Sequence, residues 1–264
     1  MRISLLLCCG ILIAAEPNTL TPEEKKQGWK LLFDGKSMKG WGDIAKKSPA
    51  GDAWSIDTGA LKAAKNPKLR EDLFTDASYG DFELSFEWKI SPGGNSGLKY
   101  RVQDRFYCDD TQVKKYGKFE TMANDAIKTR AITRAAATQE YVVGFEFQVI
   151  DDSGHVDARR GALYQAGALY SMLPAGKPMA KPVGEYNQAR VVVRGDKIEH
   201  WLNGVKVVDG SLADESIKAR AAARWTTDSL IYKGLAGRPK KKTPITLQNH
   251  GDEAWFRNIK IRPL

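Results

Sequence analysis

Three pairs of polar residues at a spacing of two stand out in this 264-residue chain: Lys99 and Arg101, Glu146 and Gln148, and Gln248 and His250. A spacing of two places both members of a pair on the same side of a β-strand. A carboxylate in a partly dry groove and an imidazole with a pKa near ~6.5 are both groups that move protons at ordinary pH. Cations and amides beside them would stabilise developing negative charge and hold hydroxyl groups. Each polar face fits either a solvated surface or the floor of a groove, and a shared site requires the three strands to be neighbours.

The three histidines separate by position. His200 is in phase with Ile198 and Leu202 and reads as a core or interface histidine. His155 follows the turn sequence DDSG, and His250 precedes Gly251-Asp252 at a strand end, so both suit the rim of a site. Asp151, Asp152, Asp157 and His155 offer oxygen and nitrogen ligands, with calcium the cation that they would suit, yet they lack the spacing of an EF-hand loop or a HExxH helix. The sequence contains no phosphate loop, nucleophile elbow or dinucleotide fingerprint. GGNSG at 93–97 follows a strand but leads into another strand.

The elements that must position these groups announce themselves by period-two alternation. In DFELSFEWKI, residues Phe82, Leu84, Phe86, Trp88 and Ile90 share one face. After SPGGNSG, Leu98, Tyr100 and Val102 alternate with Lys99, Arg101 and Gln103. Phe145, Phe147 and Val149 alternate with Glu146 and Gln148, and ARVVVRGDKIEHWLNGVKVVDG supplies three strands with turns at Gly195-Asp196 and Asn203-Gly204. WKLLFDG, AWSIDTGALKAA and the C-terminal LQNHGDEAWFRNIKI add further strands. The pattern predicts an all-β sandwich or jelly roll of two antiparallel sheets in a single domain over 26–264, with 16–25 a linker. Residues 104–140 and 211–243 break the rhythm, are partly helical in composition, and read as insertions able to wall a pocket or merely to decorate the surface.

Residues 1–15, MRISLLLCCGILIAA, read as a secretory signal peptide cleaved after Ala15, because the apolar run is shorter than the roughly 20 residues of a membrane span. Secretion or a periplasmic location follows as an expectation. Lipid anchoring through Cys8 or Cys9 is disfavoured by how few residues precede them. Loss of the leader leaves Cys108 alone, so no internal disulfide is available and stability must come from packing. The net charge of +9 does not point to nucleic acid, since the basic residues are spread out and the densest cluster, RPKKK at 238–242, reads as a solvated loop.

Taken in order, LFDGKSMKGW (32–41), DFELSFEWKISPGGNSGLKYRV (81–102), GFEFQVIDD (144–152), GALY (161–164), GEYNQARVVVRGDKIEHWLNG (184–204) and LQNHGDEAWFRNIKI (247–261) closely resemble the family of 3-keto-disaccharide hydrolase domains. The resemblance implies a concanavalin A-like jelly roll, bacterial secretion, and a carbohydrate substrate already oxidised to a ketone at C3 by a separate dehydrogenase. No cofactor is implied for the cleavage itself. It also implies removal of the C2 proton, elimination of the aglycone from C1 and addition of water to the enone. On that chemistry Glu146 and His250 become base and acid in either order, and Arg101 and Lys99 candidates for enolate stabilisation. Asn95, Gln148 and Gln248 would hold sugar hydroxyls, and Asp152 would orient a titrating group or contact a hydroxyl. The rings of Tyr164 and Trp201 suit either stacking on a sugar or packing. The insertion at 104–140 is longer than the family pattern implies. A second reading of the same sandwich is a non-catalytic carbohydrate-binding module.

Overall fold

The computed structural model describes residues 16–43, 51–109, 111, 115–116, 118–237 and 240–264. The leader expected at 1–15, with Cys8 and Cys9, lies outside them, as do residues 238 and 239 of the basic cluster. The strands are β1 (Lys30–Leu31), β2 (Trp41–Gly42), β3 (Trp54–Asp57), β4 (Ala60–Ala63), β5 (Leu73–Thr75), β6 (Phe82–Ile90) and β7 (Asn95–Cys108). They continue with β8 (Gln139–Ile150), β9 (Asn187–Arg194), β10 (Lys197–Leu202), β11 (Val205–Ser211), β12 (Thr246–Leu247) and β13 (Ala254–Pro263).

The strands pair antiparallel into two sheets, as the alternation predicts. One has the order β11-β10-β9-β6-β13-β4-β3, with β1 added against β13; the other has the order β2-β5-β12-β7-β8. The tight turns carry the residues that their geometry demands. Thr58-Gly59, between β3 and β4, has φ of 49° and 75°, and Asn203-Gly204, between β10 and β11, has 49° and 83°; positive φ at both central residues is what lets a two-residue turn follow the strand twist.

The core lies between the sheets. Phe82, Leu84, Phe86, Trp88 and Ile90 all face inward and are buried. They meet Leu98, Tyr100, Phe145, Phe147 and Val149 of the smaller sheet. Phe86 and Phe147 touch edge to face across the sandwich, with centroids 5.5 Å apart. Each such side chain contributes roughly 1.5–3 kcal/mol by leaving water. His200 is a core residue, as its phase suggested. Its ring nitrogens meet the Tyr100 hydroxyl and the Gly167 carbonyl, each at 2.9 Å, and burial pushes its pKa down to about 4. The ring is therefore neutral and satisfied.

Two expectations need correction. Residues 16–25 do not form a loose linker. Asn18 Nδ2 donates to Gly59 O at 2.8 Å, Asn18 Oδ1 accepts from Asn258 N at 2.7 Å, and Lys260 donates to Glu24 at 2.8 Å. A short helix, Pro22–Lys26, closes the segment with a Thr21–Glu24 capping box. The alternation of β7 also fails beyond Tyr100. The register against β8 shifts between Tyr100 and Asp104, and Arg101 adopts a left-handed φ of 51°. This bulge sends Val102 to a small outer cluster with Phe74 and Val142. A bulge reverses every later side chain, and no residue pattern in KYRVQD announces it.

The two insertions are helical where the strand rhythm stops. The first contains the helix Phe119–Thr129 and the second the helix Glu215–Arg224. Both lie over the outer face of the smaller sheet, where Phe119 packs on Tyr141 with centroids 4.9 Å apart and Trp225 packs on both rings.

Candidate active site

In the smaller sheet β8, β7 and β12 lie side by side, which brings the polar faces of all three onto one surface. Thr246, Lys99 and Glu146 occupy one row. Gln248, Gly97 and Gln148 occupy the next, since Gly97 opposes Gln148 and Gln248 N donates to Gly97 O at 2.8 Å. Asn95 follows on the same face of β7, and His250 stands beyond the end of β12. Asn95, Glu146, Gln248 and His250 line a cleft of about 270 Å³, with Tyr141 on its floor. Its walls are Phe119 and Glu120 from the first insertion, Arg160 and Tyr170 from the 151–186 connection, and Arg224 from the second insertion.

Glu146 is the carboxylate of this floor. Gly97 leaves the space that its carboxylate fills: a β-carbon at position 97 would lie 2.5 Å from Glu146 Oε1. Gln148, fully buried, donates its amide N–H₂ to Glu146 Oε1 at 3.1 Å and Ser96 O at 3.0 Å in the orientation that satisfies both of its ends. Lys99, also buried, reaches Asp72 at 3.3 Å and Glu146 at 3.9 Å. Burial opposes its charge, but the two flanking carboxylates outweigh it and hold its pKa above the usual lysine value.

One buried cation thus serves two carboxylates. Burial raises the Glu146 pKa to about 7; Lys99 and Arg224 pull it down while Asp72 pushes it further up. A carboxylate so placed gives and takes protons at neutral pH. His250 moves the other way: burial pushes its imidazole down to about 4, and Arg70 and His155 add to that against the pull of Asp252. It is neutral at pH 7, able to donate or accept a hydrogen bond without carrying charge. His155 stands edge-on to it, with centroids 6.3 Å apart.

Gln248 and His250 are held by the residue between them. Asn249 N donates to Asp72 at 3.1 Å, its Nδ2 donates to Ala53 O and Ala64 O, and its Oδ1 accepts from Gly251 N at 2.8 Å. With the backbone pinned on both sides, residues 248 and 250 project from a rigid support. The side-chain oxygens of Asn95 and Gln248 are buried at the cleft and have no hydrogen-bond partner among the described residues. Such groups favour a ligand that satisfies them.

Other residues singled out from the sequence lie elsewhere. Arg101 is buried, but the bulge directs its guanidinium to Asp81 at 3.2 Å and Gly195 O at 2.9 Å, so it does not stand beside Lys99. Trp201 is on the outer face of the larger sheet, with Arg190 stacked 4.1 Å from its ring and Lys206 at 5.7 Å. Asp152 accepts from Ala166 N at 2.8 Å and braces its loop. Tyr164 sits under Arg160, 3.9 Å away, in a neighbouring cavity. Asp151, one of the oxygen donors weighed for calcium, has its carboxylate taken up by the N–H groups of Gly93, Ser153 and Gly154. Among the described residues no three acidic, histidine or cysteine side chains cluster as a metal site.

Reading by strand missed Asp72, Arg160, Tyr170 and Arg224. Arg224 donates to Glu120 at 3.3 Å and Ser171 at 3.1 Å and stacks near Tyr170 and Trp225. Its position inside a helical insertion gave no periodic signal. Asp72 sits just before β5, and only the pairing of β5 with β12 places it beside Lys99.

Fold and site define a β-sandwich protein whose smaller sheet carries a cleft holding a buried carboxylate and an imidazole. The chain belongs to the 3-keto-alpha-glucoside-1,2-lyase-like domain family, whose model matches residues 28–262; the family named from the sequence motifs is the one shown. It is 31% identical over 265 residues to the 3-keto-disaccharide hydrolase of Bacteroides thetaiotaomicron, across 95% of this chain and 83% of that protein. Among solved structures it is similar to a "putative glycosyl hydrolase" from Parabacteroides distasonis, with a TM-score of 0.69 and 25% identity over 94% of this chain and 100% of the other. A second structure described in the same words, from the same organism, has a TM-score of 0.56 and 27% identity, covering 89% and 99%.

Proposed function

We propose that this chain cleaves 3-keto-glycosides, working outside the cytoplasm after removal of its leader. The observation that carries the reading is a buried carboxylate with a pKa of about 7 in a cleft lined also by amides, aromatic rings, an uncharged imidazole, and arginines of which Arg224 is paired with the second carboxylate, Glu120. A ketone at C3 acidifies the C2 proton, so one base suffices to begin the reaction. Glu146 takes that proton, Gln148 and Gly97 hold its carboxylate in place, and Lys99 balances its charge. The enolate then expels the aglycone oxygen from C1, which takes the proton held by Glu146 and leaves as the alcohol. Glu146 next removes a proton from water as its hydroxyl adds to C1 of the enone, and returns that proton to C2, which completes a net hydrolysis.

His250 acts as a neutral hydrogen-bond donor to the sugar, where an imidazolium would be too acidic to coexist with the base. Arg224 and Arg160 bring positive charge to the oxygens on which electrons accumulate. Asn95 and Gln248 bind hydroxyl groups. A second carboxylate across C1, as ordinary glycosidases require, is not part of this scheme.

Purified protein lacking residues 1–15 is incubated with a chromogenic 3-keto-glucoside and with its unoxidised parent, in both anomers, and aglycone release is followed from pH 5 to 9. The expected result is release from the keto compound alone, with kcat/KM falling about tenfold per unit below pH 7 as Glu146 protonates. Release from the parent would indicate ordinary glycosidase chemistry. Binding without release from either would indicate a carbohydrate-binding module.

A further inference from the structure

Beside the cleft lies a larger cavity of about 570 Å³ that contains neither Glu146 nor His250. The two cavities adjoin, sharing Glu120, Arg160 and Arg224. The larger space is thus open to the C1 substituent of a sugar ring seated over Glu146 with C1 toward Arg160 and Arg224. We propose that this cavity is the leaving-group subsite and that it selects aglycones bearing a carboxylate. The inference rests on the cleavage reading above and specifies the substrate class.

The cavity is lined by four cations, Lys118, Arg160, Arg220 and Arg224, and by a single carboxylate, Glu120. Glu120 is already engaged by Arg224 at 3.3 Å, and Arg160 is held by Asp157 at 3.2 Å. Lys118 and Arg220 form no ion pair among the described residues. A concave wall with this charge balance concentrates anions, and a guanidinium matches the planar fork of a carboxylate. The helix Phe119–Thr129 begins here, and Lys118 at its N-cap offers no side-chain cap, so its first N–H groups add to the positive field. Leu163 and the Tyr164 ring give an apolar side to the cavity, and the buried Asn124 Oδ1 has no hydrogen-bond partner among the described residues. The ensemble suits a ring carrying an acid group, which a neutral disaccharide would leave unpaired.

The test compares 4-carboxyphenyl and 4-carbamoylphenyl 3-keto-glucosides, which differ in charge but little in shape. The wild-type protein is expected to prefer the carboxylate in kcat/KM, through KM. In Lys118→Ala/Arg220→Ala that preference is expected to fall about fivefold, as loss of two exposed cations implies. Lys36→Ala/Lys39→Ala, which removes equal charge elsewhere, is expected to keep it. Equal kcat/KM for the two substrates in the wild type, or equal loss in both double variants, overturns the inference. If neither substrate is cleaved, the cleavage reading fails. The subsite is then judged by calorimetry with free 4-hydroxybenzoate and 4-hydroxybenzamide: tighter binding of the acid, lost in Lys118→Ala/Arg220→Ala, supports it, and equal binding refutes it.

Discussion

Gly97→Ala separates the position of Glu146 from its identity. The new β-carbon would lie 2.5 Å from Glu146 Oε1, 2.7 Å from its Cδ and 2.8 Å from its Cγ. Ordinary van der Waals contact begins at about 3.4 Å, so the carboxylate must withdraw by about 0.9 Å. The three nearest atoms all belong to that one flexible side chain, and the backbone at 97 is not in the left-handed region, so the fold itself has no reason to move. Overpacking a buried site of this kind costs about 1–3 kcal/mol, or roughly 2–12 °C in a chain of this size. A displacement of about 1 Å between a base and the proton that it removes costs on the order of 10²-fold in rate. Chromogenic 3-keto-glucoside turnover should therefore fall about a hundredfold in a protein whose unfolding transition shows that it is still folded at the assay temperature. Full turnover by a folded Gly97→Ala protein would refute the assignment of proton transfer to Glu146 as it is held here.

Three further outcomes follow from the same geometry. Glu146→Gln should abolish turnover yet stabilise the protein in alkali: folding raises the carboxylate from an ordinary value of 4.5 to about 7, so its penalty is absent below pH 4.5 and complete above pH 7. The gain at pH 8 is at most about 3 kcal/mol, and an equal shift in unfolding midpoint at pH 4 and pH 8 would contradict it. Arg101→Met should lower stability by about 1–3 kcal/mol through loss of its bonds to Asp81 and Gly195 while the folded protein keeps its kcat; a lost kcat at unchanged stability would return Arg101 to the site. Asn95→Ala and Gln248→Ala should each raise KM about tenfold, the worth of one hydrogen bond at about 1.4 kcal/mol, and a fall in kcat with constant KM would show that these amides do not serve ground-state binding.

The chain folds as its alternation says because a half-buried strand writes its two faces into the sequence. Phe82 through Ile90 declare the core, and Glu146, Gln148, Gln248 and Lys99 declare the opposite face. The phase of His200 likewise identified it as a core residue. Family membership was legible for a related reason: the motifs that carry it are the strands and turns, which occupy most of the chain.

What the sequence could not supply is whatever depends on a pairing between distant segments. Arg101 shares a period with Lys99, but the bulge after Tyr100 reverses the strand, and a bulge is decided by the register of β7 against β8 rather than by either strand alone. Asp72 becomes the partner of Lys99 only because β12 is inserted between β5 and β7. Arg160, Tyr170 and Arg224 reach the cleft on a loop and a helix with no period to reveal their direction. The sequence by itself determined the strands, their inward faces and the residue types available for proton transfer, since local sterics and solvent fix these within a few residues. Only the tertiary structure decided which of those residues meet, and with that the burial and the shared cation that bring Glu146 to a pKa near 7, because a field at one carboxyl group is a sum over neighbours that the chain delivers from far apart.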